Sequence, residues 1–134
     1  MDLQNFNYAL TQVVHNFGAV TVVAAPLYML IARPERQRKT LWLVLIGWCL
    51  QILSGVLFGG ISLLYYGMLP DIRGVAILAL LIKVLSAVSA LGIIIMSLRA
   101  QPSWSWRRVT WMWRGLTVLG VVALTAAAFL RWYS

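Results

Sequence analysis

The sequence predicts an all-α fold: an integral membrane four-helix antiparallel bundle with both termini on the outer, periplasmic side. Three observations carry this. Of the 134 residues, 62% are hydrophobic and only 10% are charged, whereas a soluble domain carries about 25% charged residues. The apolar residues gather into four long runs, each near the roughly 20 residues a helix needs to cross a bilayer. The basic residues gather in two of the three short connections between those runs. Backbone polar groups cannot go unpaired in lipid, so runs of this kind are helices.

The first run, about 9–32, reads "ALTQVVHNFGAVTVVAAPLYMLIA". The second, about 40–64, reads "TLWLVLIGWCLQILSGVLFGGISLL". The third, about 75–98, reads "VAILALLIKVLSAVSALGIIIMSL", and the fourth, about 115–133, reads "GLTVLGVVALTAAAFLRWY". The connections "RPERQRK" (33–39), "YYGMLPDIRG" (65–74) and "RAQPSWSWRRVTWMWR" (99–114) are short. Short connections make successive helices antiparallel neighbours. No repeat, low-complexity tract or internal boundary is visible, so 1–134 reads as a single membrane domain.

A net charge of +8 in a soluble chain would point to nucleic acid. Here the charge follows membrane topology, and no nucleic-acid partner is expected. The first and third connections hold eight Lys/Arg, namely Arg33, Arg36, Arg38, Lys39, Arg99, Arg107, Arg108 and Arg114, against two, Arg73 and Arg131, on the opposite side. The positive-inside rule then places the two basic connections in the cytoplasm. Trp104, Trp106, Trp111 and Trp113 lie among those arginines, as interfacial aromatic belts do. Cys49 is the only cysteine, which excludes an intrachain disulfide and a Cys-x-x-Cys site. The first basic residue, Arg33, follows the first apolar run, so a cleavable signal peptide is not expected. The lipid bilayer is the expected surrounding, in a bacterial-type inner (cytoplasmic) membrane, with other membrane subunits or a homo-oligomer as possible partners.

Two ionisable residues stand inside the runs, His15 and Lys83. Such residues are costly in lipid and mark function. At 1.5 Å per residue, His15 lies roughly 9 Å past the outer edge of its run and Lys83 roughly 12 Å past its own. They share a layer in the outer half of the bilayer. Helical spacing surrounds Lys83 with Ala76, Ala79, Ser86, Ala87 and Ala90, and His15 with Gln12, Thr11, Gly18, Ala19 and Pro26. The second run has its own stripe of Gly47, Gln51, Ser54, Gly55, Gly59 and Ser62. Small-residue stripes let helices approach closely in lipid. Gly55 and Gly59 are accordingly expected to sit against a neighbour. His15 can hydrogen-bond across helices, to a backbone carbonyl or to Gln51. Lys83 has no acid in any run. It gives up its charge, snorkels to the headgroups, or pairs with an anion the chain does not encode.

The stretches "VVHNFGAVTVVAAPLYML" (13–30) and "LLIKVLSAVSALG" (80–92), set in four helices with a basic first connection, resemble the copper-resistance D (CopD) superfamily, which includes the HemJ-type protoporphyrinogen oxidases. The resemblance implies a functional histidine in the first helix and lysine in the third, here His15 and Lys83, and binding of haem b. His15 would be the iron ligand, Lys83 would meet a propionate, and Gln12 and Gln51 would complete the cofactor-binding set. The HemJ-type pattern also has a further histidine and an Asn-Glu-x-Pro-like stretch before the last helix. Here there is one histidine, and "RRVTWMWRG" occupies that place. Met1, Met29, Met68, Met96 and Met112 are scattered, whereas soft copper sites need Met and Cys brought together. Three functional classes result: a tetrapyrrole- or quinone-binding redox protein, a non-catalytic accessory or assembly subunit of a respiratory or metal-handling complex, and a small transporter. Proton-coupled transport usually relies on an intramembrane carboxylate, which ranks the third class last.

Overall fold

A computed structural model describes residues 3–32, 37–100 and 104–133. It is all-helical: α1 (Leu3–Ala32), α2 (Gln37–Tyr66), α3 (Val75–Ala100) and α4 (Trp106–Tyr133) form one bundle. All four helices are long and apolar enough to cross a membrane. One end of the bundle carries Leu3, Tyr133 and the 67–74 connection; it is called the termini end here. The other carries Arg38, Lys39, Arg99, Arg107, Arg108 and Arg114, and is the basic end. Arg33 and Arg36 lie outside the described residues.

The helices outrun the apolar stretches that announce them. α4 begins at Trp106, so most of the segment read as the third connection is helix. A hydropathy window marks only the lipid-crossing part, and Arg, Trp and Met do not break a helix. The Trp belt is corrected in one respect: Trp113 is 2% exposed and belongs to the core. At the termini end, α2 stops where Gly67 takes a φ of 69° and its N–H donates to Leu63 O at 3.0 Å. A positive φ at the residue after the last turn is the commonest way to end a helix, and glycine adopts it without strain.

The surface is apolar and the interior partly polar. Leu64, Ile31 and Phe17 are among the exposed large side chains, while Thr11, Gln51, Ser54, Ser86 and Ser97 are buried. The buried hydroxyls are satisfied locally. Ser86 donates to Ile82 O at 2.8 Å, Ser97 to Ile93 O at 2.6 Å and Thr11 to Asn7 O at 2.8 Å, each the carbonyl one turn back.

Close helix crossings occur at three glycines. A Cβ on Gly18 would meet Gly47 O at 3.0 Å, and one on Gly47 would meet Thr21 Cγ2 at 2.9 Å, so α1 and α2 touch nearly backbone to backbone. A Cβ on Gly120 would lie 2.7 Å from Val22 O. Pro26, buried within α1, explains that crossing. Proline has no N–H, so the carbonyl four residues earlier, that of Val22, loses its helical donor. Gly120 lets α4 settle against it. Gly55 and Gly59 do not behave as expected: a Cβ on either meets nothing within 4 Å, and Gly55 is exposed.

The packing is lopsided. Large side chains (Leu41 and Trp48 of α2, Ile94 of α3, Trp113 and Leu116 of α4) fill the half nearer the basic end. Along one side of α2 the residues 41, 44, 48 and 51 are buried, and then 55 is exposed and 59 only partly covered. The stripe leaves the core at that point. α1 packs closely on α2, and α3 on α4, while the α2–α3 seam is the sparsest of the four adjoining pairs. The α2–α3 seam is therefore the loosest of the bundle, and neither Gly55 nor Gly59 meets a neighbour. Gln4 and Asn7 of α1 bond the hydroxyls of Tyr66 and Tyr65 at 2.6 and 3.1 Å, which holds the α1–α2 pair together at that end.

Candidate functional site

His15 and Lys83 meet nearer the termini end than the basic end. His15, half-buried on α1, places Nδ1 2.7 Å from Ser54 Oγ of α2. Ser54 lies 2.5 Å from Leu50 O, to which its hydroxyl donates. With its proton committed, the hydroxyl can only accept from the imidazole. This assigns the proton to His15 Nδ1 and leaves Nε2 with a free lone pair. Lys83 of α3 brings Nζ to 3.5 Å from that Nε2, a long contact for a hydrogen bond. The order is Lys83 ammonium, imidazole, hydroxyl, carbonyl, running across three helices.

Two neighbours fix the histidine. Gln51 Nε2 donates to His15 O from one turn before Ser54. Phe58, one turn beyond, meets the imidazole edge-on at 5.7 Å and 72°, and stacks on Tyr8 at 6.3 Å. Gly18 makes the Gln51 contact feasible, because a Cβ there would lie 3.0 Å from Gln51 Nε2.

Lys83 has no carboxylate partner among the described residues. Their only acid, Asp71, pairs with Arg73 at 2.7 Å in the exposed 67–74 connection. No group of three or more His, Cys, Asp or Glu that could hold a metal occurs among the described residues. Met29 and Met112 belong to the core of the basic-end half, away from His15, and Met68 and Met96 are exposed.

Of the four residues singled out by sequence, the structure brings His15, Lys83 and Gln51 together. Gln12 points elsewhere: its Nε2 donates to Asn16 Oδ1 at 2.7 Å along the same helix. Ser54 and Phe58 were not selected from sequence as site residues. Both follow Gln51 at helical spacing, which was the available signal. No protein-family model, curated protein or solved structure matches the chain.

Proposed function

We propose that this is a multi-pass protein of a bacterial-type cytoplasmic membrane, with both termini outside and the basic end inside, that holds a redox ligand beside His15 and Lys83. Haem b is the ligand the resemblance favours. One observation supports this reading above the others: His15 is held through Nδ1, with its Nε2 lone pair turned toward an amine that has no counter-anion among the described residues. Histidines that bind metals are oriented in this way, the second ring nitrogen donating to a fixed acceptor.

The residues fit a haem in donor chemistry. A single imidazole would suffice to hold the iron, and propionates would give Lys83 the anion that no described residue supplies. Bound there, haem would supply one-electron chemistry at an iron with one ligand from this chain. Ser54 and Gln51 keep the imidazole oriented. Lys83 has to exchange His15 Nε2 for a propionate, which its flexible stem permits. The exposed edge at Gly55 and Gly59 offers a flat ligand a way in from the lipid.

The test is an absorption spectrum of protein purified in mild detergent from haem-replete cells. A Soret band lost in His15→Ala and weakened in Lys83→Met supports the reading. A colourless protein that also fails to take up added haemin ends it.

A second reading, an accessory subunit, is favoured by a different observation. Asn16 is exposed in the middle of α1, and its carboxamide engages only Gln12 of the same helix. Amides facing lipid draw helices together, and a partner helix would use the groups that pair leaves free.

A further inference from the structure

The basic end holds a second candidate site, remote from His15. A cavity of about 260 Å³ opens where the end of α1 meets the starts of α2 and α4, lined by Met29, Leu30, Val109, Thr110, Trp113 and Arg114, with Gln37 and Trp106 at its margin. We propose that it binds an anionic phospholipid, the phosphate at Arg114 and the apolar part along Met29, Leu30 and Val109.

Two features of the cavity support this. Its lining is mixed as an amphiphile is, with Arg114, Thr110 and Gln37 supplying donors and Met29, Leu30 and Val109 supplying apolar surface. Arg114 is steadied by the Trp111 ring, 5.3 Å from its guanidinium, and no carboxylate among the described residues claims it. Guanidinium is suited to phosphate because its fork matches two oxygens at once.

Trp113, 2% exposed, adds its ring to the apolar part of the lining. The field at this end agrees in sign. α2 and α4 both begin here, so the positive ends of two helix dipoles converge, beside Arg38, Lys39, Arg107 and Arg108. Basic pockets between helices on the cytoplasmic side are a recurrent way of holding anionic headgroups.

The proposal requires membrane insertion but not a haem. It is tested with the full chain in a maltoside detergent, stripped of lipid. Binding is measured calorimetrically with dihexanoyl phosphatidylglycerol, dihexanoyl phosphatidylcholine and inorganic phosphate. Saturable binding of the first is expected, with the second at least about tenfold weaker. Arg114→Gln should weaken phosphatidylglycerol by about tenfold, the scale of one charged hydrogen bond. Thr110→Leu, which fills the cavity, should do likewise. Lys39→Gln, at the same end but outside the lining, should change affinity less than twofold. The ligand-free melting temperature checks that each variant is folded, and Arg114→Lys should recover part of the loss. Inorganic phosphate binding as tightly as the lipid would overturn the assignment to an amphiphile. Equal losses in Arg114→Gln and Lys39→Gln would reduce the site to a diffuse basic surface and overturn it as well.

Discussion

Lys83 Nζ stands 3.5 Å from His15 Nε2, yet the helices that carry them hardly meet otherwise. A long side chain thus closes a diagonal of the bundle that backbone packing leaves open. The two ionisable side chains of the interior lie head to head, with no acid beside either among the described residues.

The histidine tautomer can be read directly, because the chain has one histidine. Nitrogen NMR of imidazole-labelled protein should show the proton on Nδ1 in the wild type. In Ser54→Ala the acceptor is gone, and the signal should move to a mixture of tautomers. The accompanying stability loss should be small, near the roughly 0.6 kcal/mol average for an interhelical hydrogen bond in lipid. A proton already on Nε2 in the wild type would refute the assigned order of donors.

Glycine substitutions should separate by position. Gly120→Ala places a methyl 2.7 Å from the Val22 carbonyl oxygen, an atom of the backbone that cannot step aside, and should cost about 1–3 kcal/mol as overpacking does. Gly55→Leu meets open space and should leave the unfolding midpoint in detergent near that of wild type. The reverse order would mean that the α2–α3 seam is closed.

Orientation follows from labelling. In a Cys49→Ala background, a membrane-impermeant thiol reagent added outside should label Ser134→Cys and spare Gln37→Cys. The motive is the eight-to-two distribution of Lys and Arg between the two sides. The opposite pattern would invert the bundle.

The accessory reading has its own readout. Asn16→Leu with Gln12→Leu should lower self-association or co-purification with other membrane subunits, and leave the monomer's unfolding free energy within about 0.5 kcal/mol of wild type, as surface changes do. A double variant with unchanged association would remove the only observation that favours that reading.

Helix number and the facing of α3 were legible in the sequence. Ala76, Ala79, Ser86, Ala87 and Ala90 were read as one interior stripe from spacing alone, and all five are buried. Period 3.6 suffices there because α3 keeps one neighbour along its length. The same reasoning misplaced Gly55 and Gly59. They continue the side of α2 that is buried at Leu41, Val44 and Trp48, but no neighbour covers them. Which stretch of a helix gains a neighbour is a property of four helices together, and no single periodicity records it. Trp113 was assigned to the interface by its arginine neighbours, although its spacing with Val109, Leu116 and Gly120, all buried, was the better guide. His15 and Lys83 could be paired by depth. That Ser54, not Gln51, takes the imidazole proton depends on which hydroxyl is already spent on its own helix, and only coordinates reveal that.

The bundle is two tight pairs laid side by side, α1 with α2 and α3 with α4. Of the two joints between the pairs, α1–α4 is the fuller, with Gly120 set against the Val22 carbonyl, and α2–α3 the thinner. His15 belongs to one pair and Lys83 to the other. Any rocking of one pair on the other about the α1–α4 joint would therefore register first as a change in the distance between those two side chains, which makes their contact a gauge of how the halves are seated.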